Sequence, residues 1–238
     1  MAAALDSLGM RAGLIVSCQA DAGSPLRGSA YMAAMARAAE VAGAVGLRVN
    51  GPLDIAAVKA EVRLPVIGIY KIRQPTQHAR VYITPNFEAA AEVATLGCEI
   101  VALHVLPEYD RDPAGLKARM RRIKHELHVL LMADIATADD ARFAVDNGAD
   151  IVATTSYRYA YPDEKIPGPP IELVRELTRA VRVPIIAEGS LKTPSDCVEA
   201  LEAGAYAVVV GTAITAPDKI AAEFVDAIAR AGGTARGR

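Results

Sequence analysis

Short apolar runs recur along this chain at residues 14–18, 44–49, 66–70, 100–104, 129–133, 151–155, 185–188 and 207–211. Each has about four to six residues, too short for a buried helix and right for a buried strand. Between them lie Ala-rich stretches with apolar positions three or four apart, at 31–42, 53–62, 87–96, 113–125, 138–147, 171–180, 194–203 and 217–231. These read as amphipathic helices. Thr193 before Pro194 is a helix start, and Pro217 opens another first turn. Gly43, Gly97, Gly148 and Gly204 follow helical stretches, where glycine relieves a left-handed C-cap. The join repeats almost verbatim as Gly97-Cys98-Glu99-Ile100, Gly148-Ala149-Asp150-Ile151 and Gly204-Ala205-Tyr206-Ala207.

Strand-helix alternation implies a parallel sheet with right-handed crossovers. Eight such units predict a closed TIM (β/α)8 barrel of α/β class. The 238 residues match the roughly 250 of one complete barrel. Hydrophobic residues make up 52% of the chain while aromatics reach only 5%, which suits small and branched side chains packed between helices. No GxGxxG follows the first strand, against a dinucleotide-binding fold. The chain reads as one domain, 1–238, with residues 1–10 as an N-terminal segment and the tail from Ala231, above all 232–238, expected to be disordered.

The net charge is −2, from 26 basic and 28 acidic residues, and this balance argues against nucleic acid as a partner. The basic run Lys117, Arg119, Arg121, Arg122 and Lys124 reads as the solvated face of a helix. Cys18, Cys98 and Cys197 are odd in number and widely spaced, with no CxxC pair, so neither disulfides nor a metal site is expected and a cytoplasmic location fits. No apolar run approaches a membrane span, and no signal peptide is visible at the N-terminus.

Chemistry in this fold sits where strands end. Every run delivers a polar group there: Gln19 after Ser17 and Cys18, Arg48 with Asn50-Gly51, Lys71, His104, Asp134, Thr154-Thr155, Glu188-Gly189-Ser190, and Gly211-Thr212. Lys71 and Glu188 each follow a buried strand directly. A lysine beside an apolar interior can lose its proton and act as a base, with a carboxylate nearby to move protons; a structural ion pair is the alternative. Gly189, Ser190, Gly211 and Thr212 follow the last two strands, where barrels commonly bind phosphate. His104 is expected beside Lys71, as an acid or base or as packing. Cys18 reads as packing, and His78, His125 and His128 as surface or packing residues. Longer loops at 71–85 and 157–170 read as lids or substrate walls.

Several segments in order give the chain its resemblance to the N-acetylmannosamine-6-phosphate 2-epimerase family: Leu-Ile-Val-Ser-Cys-Gln-Ala (14–20), Arg48 with Asn50-Gly51, Leu-Pro-Val-Ile-Gly-Ile-Tyr-Lys (64–71) and Tyr-Ile-Thr-Pro (82–85). Met-Ala-Asp-Ile (132–135), Thr154-Thr155, Pro-Ile-Ile-Ala-Glu-Gly (184–189) and Gly-Ala-Tyr-Ala-Val-Val-Val-Gly (204–211) with Ala-Ile-Thr (213–215) continue it. The resemblance implies a TIM barrel and an isomerase that interconverts N-acetylmannosamine 6-phosphate and N-acetylglucosamine 6-phosphate by proton transfer at C2, with no cofactor and no metal. It implies that Lys71 and Glu188 are catalytic and that Gln19 and Arg48 hold the sugar phosphate. Asp134, Thr154 and His104 join them as candidate substrate contacts. It also allows a homodimer.

The chain departs from the family pattern in places. His104 stands where Asp is usual, Leu106 where Thr is expected, Ser190 for a basic residue, Thr212 for a glycine and Ala216 for a common Arg. The loop after the sixth strand reads Thr-Thr-Ser-Tyr-Arg-Tyr-Ala-Tyr, and its Arg158 is a candidate to replace the lost positive charge. These changes keep open a related epimerase or isomerase with another substrate, a Schiff-base aldolase, and a non-catalytic sugar-phosphate-binding barrel.

Overall fold

The computed structural model describes residues 3–72, 82–110, 112–160 and 168–235. Eight parallel strands close on themselves in sequence order: β1 (Leu14–Cys18), β2 (Gly46–Asn50), β3 (Val66–Ile69), β4 (Ile100–His104), β5 (Leu130–Asp134), β6 (Ile151–Ala153), β7 (Ile185–Glu188) and β8 (Ala207–Val210). The TIM barrel expected from the apolar runs is therefore the observed fold. Helices α1 (Ala3–Ser7), α2 (Ser29–Val41), α3 (Pro52–Glu61), α4 (Phe87–Thr95), α5 (Pro113–Leu127), α6 (Ala138–Asp146), α7 (Ile171–Ala180), α8 (Pro194–Glu202), α9 (Thr212–Thr215) and α10 (Pro217–Ala235) accompany them. The sixth apolar run is shorter as a strand than its sequence suggests, because Thr154–Ala160 turns into a 3-10 helix. Helix α10 runs on past Ala231, where fraying was expected, to Ala235. Among the described residues no helix is long and apolar enough to cross a membrane.

Period-two alternation sorts each strand into two layers. Ile15, Ile67, Ile69, Ile100, Ala102, Met132, Ile151, Ala153, Ile186 and Val209 fill the barrel interior. Their sequence neighbours, such as Leu47, Val101, Leu103, Leu131 and Val208, pack outward against the helices. The N-terminal segment adds to the interior layer: Leu5 and Met10 are fully buried within it. Tyr206 ties that segment to the barrel, its hydroxyl oxygen lying 2.7 Å from Asp6 Oδ1 and 2.8 Å from the Met10 carbonyl oxygen.

The repeated helix-to-strand join has a physical reason. Glu99 Oε2 accepts the Val66 N–H at 2.9 Å and Glu99 Oε1 receives Lys59. Asp150 does the same two strands later, accepting the Leu131 N–H at 2.7 Å and pairing with Lys124. Each acid thus satisfies an N–H at the N-terminal rim of the barrel. Gly68 lets α4 sit close: a Cβ there would lie 2.3 Å from Val93 Cγ1 and 2.5 Å from Cys98 Sγ. Thr137 and Thr193 form full capping boxes with Asp140 and Asp196, which confirms the start read at Thr193-Pro194.

The basic run on α5 is a solvated face, as its spacing suggests. Arg119 pairs with Asp110, Arg122 with Glu126 and the Phe87 ring, and Lys124 with Asp150. Cys18 and Cys98 are buried, and burial pushes both thiols up to about 12, so packing is the role the structure gives Cys18.

Candidate active site

Counting on by twos from the interior residues leads to the barrel mouth. Arg48, Lys71, His104, Asp134, Thr155 and Glu188 continue the inward-facing positions of their strands. Arg48 is 1% exposed. Its Nη2 donates to Asp134 Oδ2 at 2.5 Å and its Nη1 donates to Asp134 Oδ1 at 3.0 Å, a two-pronged pairing. The same Nη1 donates to Glu188 Oε2 at 2.9 Å. Thr155 Oγ1 lies 2.7 Å from Asp134 Oδ1 and 3.0 Å from Glu188 Oε2. One guanidinium and one hydroxyl thus join β2, β5, β7 and the turn after β6.

Lys71 is fixed through its backbone, whose N–H donates to Asn50 Oδ1 at 2.8 Å. Among the described residues its ammonium has no hydrogen-bonded or ion-paired partner. Burial, then the positive charge of Arg48, holds that ammonium below the usual lysine range, against the pull of Glu188, Asp21 and Asp134. Glu188 moves the other way. Burial pushes its carboxyl above the usual range, Arg48 opposes the rise and the negative charge of Asp134 adds to it.

A return segment at Tyr82–Thr84 separates Lys71 from His104, correcting the expectation that they are neighbours. Parallel pairing of β3 with β4 stops at Gly68 and Val101. Beyond it Lys71 bridges Ile83 in antiparallel fashion, and the His104 N–H donates to the Ile83 carbonyl at 3.0 Å. His104 is 2% exposed. Its Nδ1 accepts the Tyr82 N–H at 3.2 Å, and the Tyr82 and Tyr159 rings meet it edge-on. It braces the wall and does not face a cavity. Thr84 is fully buried at φ 47°, a rare conformation for a β-branched residue.

Three connected spaces open at the mouth. A cavity of about 190 Å³ is lined by Lys71 and Glu188 together, with Gln19, Gly211 and Thr212. A second of about 430 Å³ lies between the loops after β7 and β8, lined by Gly189, Ser190, Lys192, Gly211 and Thr212. A third of about 1090 Å³ extends from Gln19 and Lys71 over the start of α3. Gln19 Nε2 donates to Ser17 Oγ at 2.7 Å, and its Oε1 is buried with no hydrogen-bond partner among the described residues. The four residues read as a phosphate site are therefore brought together. Arg48, His104, Asp134 and Thr154 line none of these spaces and form the floor and wall beneath them. Thr154 donates to the Glu188 carbonyl at 2.8 Å and accepts the Glu188 N–H at 2.9 Å, so it splices β6 to β7 and its neighbour Thr155 is the threonine that faces inward. Arg158 is exposed and outside all three spaces; Lys192, not expected from sequence, brings a cation instead. Of the long loops, 73–81 (with His78) and 161–167 lie outside the described residues. Among the described residues no group of three or more His, Cys, Asp or Glu is placed to hold a metal ion.

The family described as "Putative N-acetylmannosamine-6-phosphate epimerase" matches residues 32–230. The chain belongs to this epimerase family. A relative from Caldanaerobacter subterraneus subsp. tengcongensis is 47% identical over 90% of each chain, and one from Cutibacterium acnes is 41% identical over 92% of this chain and 95% of its own. Both carry the name "Putative N-acetylmannosamine-6-phosphate 2-epimerase". The solved N-acetylmannosamine-6-phosphate 2-epimerase from Clostridium perfringens superimposes with a TM-score of 0.83 at 36% identity, covering 92% of this chain and 95% of that one. Epimerases are isomerases, and acid-base groups meeting at the mouth of the barrel suit that class.

The network predicts its own energetics. Arg48→Met leaves Asp134 and Glu188 without their counter-charge and should cost roughly 3–5 kcal/mol. The loss is read as a lowered urea midpoint at unchanged slope, partly recovered by adding Asp134→Leu. An unmoved midpoint in Arg48→Met would show that this epimerase's floor does not depend on the guanidinium.

Proposed function

We propose that the chain interconverts N-acetylmannosamine 6-phosphate and N-acetylglucosamine 6-phosphate by removing and returning the proton at C2 of the ring-opened sugar. The observation that carries this reading is the small cavity lined by both Lys71 and Glu188, with the lysine pushed toward its neutral form and the carboxyl toward its acid form. Ring opening needs a proton delivered to the ring oxygen and one removed from the C1 hydroxyl. A carboxyl titrating above the ordinary range does the first as an acid and the second once ionised. The C1 aldehyde then acidifies the C2 hydrogen, because the carbanion delocalises into an enolate. Neutral Lys71 takes that proton. The enolate is planar at C2, so Glu188, which now carries the hydrogen taken from the C1 hydroxyl, inverts the centre by giving it to the other face, and the proton on Lys71 then passes back to Glu188 through solvent to reset the pair. The orphaned Gln19 Oε1 accepts from a sugar hydroxyl or the N-acetyl N–H, while Arg48 and Asp134 hold Glu188 in place without touching substrate.

Proton NMR of N-acetylmannosamine 6-phosphate in D2O with the purified protein is expected to show the gluco epimer appearing with deuterium at C2. Lys71→Ala should abolish both exchange and product while remaining folded, and Glu188→Gln should slow turnover by about 10²–10⁴-fold. Exchange that persists in Lys71→Ala sinks the assignment of the base.

We place the phosphate in the cavity between the loops after β7 and β8. Gly189 at φ 104° and Ser190 at φ 56° turn the first loop back on itself beside Gly211 and Thr212. Lys192 is the one cation among the described residues that line that cavity, and it stands 3.7 Å from Glu223 of α10 in an exposed pair that it can leave at little cost. Lys192→Glu should raise KM for the sugar phosphate by at least about tenfold and leave kcat nearly unchanged in steady-state assays. An unchanged KM puts the phosphate elsewhere.

A homodimer is the assembly we propose. Phe224, Val225 and Ile228 on α10 are 63–70% exposed, an apolar stripe that a second copy would cover. Light scattering should give twice the chain mass, and Phe224→Asp with Ile228→Asp should give one chain mass; a monomeric wild type refutes the assembly.

A further inference from the structure

The Thr155 hydroxyl touches two carboxylates but carries a single hydrogen. It lies 2.7 Å from Asp134 Oδ1 and 3.0 Å from Glu188 Oε2. If both acids were ionised, one of these contacts would set two oxygen lone pairs against each other. The shorter contact needs the hydroxyl hydrogen most, so Thr155 donates to Asp134. Asp134 is the better compensated of the two acids, since the Arg48 guanidinium holds both its oxygens, at 3.0 and 2.5 Å, but only Oε2 of Glu188, at 2.9 Å. The remaining contact is then satisfied only when Glu188 Oε2 carries a hydrogen and donates to Thr155.

We propose that Thr155 is a positioning residue that keeps Glu188 in its acid form before substrate arrives, by accepting the carboxyl's hydrogen and passing its own to Asp134. The inference rests on the reading of Glu188 as the group that delivers a proton to the sugar, and it names what sets that proton in place. When Glu188 releases its proton to the ring oxygen, it becomes a carboxylate that Arg48 Nη1 stabilises at 2.9 Å. The charged groups around Glu188 are Arg48 from β2, Lys71 beyond β3 and Asp134 from β5, and the Thr155 hydroxyl is the neutral group between the two acids. All three charged groups stay in place when Thr155 alone is changed.

The sign of one shift decides the matter. With Thr155→Val, the acid form of Glu188 loses its acceptor and the ionised form loses nothing, so Glu188 should give up its proton at lower pH. Had the hydroxyl instead donated to an ionised Glu188, the same substitution would move the titration to higher pH. The experiment is carbon-13 NMR of the glutamate side-chain carboxyls in the full-length protein across pH, with Glu188→Gln to assign the signal. Expected is a titration midpoint lower by about one pH unit in Thr155→Val and restored in Thr155→Ser, which keeps the hydroxyl. The basic limb of kcat/KM should fall by the same interval. A midpoint that rises, or does not move, in a folded Thr155→Val overturns the proposal. Because the carboxyl is read directly, an altered midpoint without any sugar turnover would fault the substrate assignment and leave the role of Thr155 standing.

Discussion

One buried cation organises the mouth of this barrel. Arg48 is 1% exposed, so the desolvation of its guanidinium is nearly complete and costs several kcal/mol unless it is compensated. Compensation comes from Asp134 in a forked pairing and from Glu188 through a third hydrogen bond. Those contacts span the barrel from β2 to β5 and β7, with Thr155 bridging the two acids. A well-packed apolar floor would match such a network in stability. The arrangement makes sense as a means of holding a carboxyl in one orientation at the edge of a cavity, with the cost met by the fold at large.

The same geometry bears on the acid and base roles proposed for Glu188 and Lys71. Arg48 and Asp134 remain an ion pair throughout. Beside them Lys71 and Glu188 either form a charged couple or share the same proton as a neutral amine and a carboxylic acid, and the net charge is zero in both cases. Burial penalises both charged forms, and each residue is moved in the direction of its neutral form. Arg48 adds to this for the lysine by repulsion, and Asp134 adds to it for the glutamate. The pair is therefore held toward its neutral state, which is the state that the proposed proton removal at carbon asks for.

Much of this was legible along the chain. Length and alternation sufficed for the barrel because each of the eight apolar runs is followed by its own amphipathic helix. Lys71, Glu188, Gln19 and the glycines after β7 and β8 were legible because strand ends in this fold point to one rim. One misreading, Thr154 for Thr155, arises because a strand-end position does not say which way a side chain faces. Counting by twos from Ile151 and Ala153 reaches Thr155 and passes over Thr154, and that signal was present in the sequence. The enclosure of Arg48 was not, since it follows from Asp134 and Glu188 lying far away in the chain. Nor was the outward turn of Arg158, which depends on the 3-10 helix that replaces the end of the sixth run. Lys192 sits two residues beyond Ser190, outside the strand-end positions from which the site was read.

Thr84 shows why the wall beside Lys71 is built as it is. Parallel pairing between β3 and β4 ends at Gly68 and Val101, which would leave backbone groups above that point without partners in a buried seam. The segment at Tyr82–Thr84 fills the gap. Thr84 N–H donates to the Tyr70 carbonyl at 2.8 Å, Ile72 N–H to the Tyr82 carbonyl at 2.9 Å and His104 N–H to the Ile83 carbonyl at 3.0 Å. The Thr84 hydroxyl adds two more bonds, donating to the Ala102 carbonyl at 2.6 Å and accepting the Tyr70 N–H at 3.1 Å. Holding a threonine at φ 47° costs on the order of 1–3 kcal/mol. Five hydrogen bonds at about 1 kcal/mol each outweigh it. The strain is thus stable where it stands, and its product is a lysine gripped on both sides of its backbone. The His104 ring, beneath the Tyr82 side chain, backs the same segment from β4. That places the departure from Asp at this position in the support of the wall, one layer away from the cavity where the chemistry is proposed.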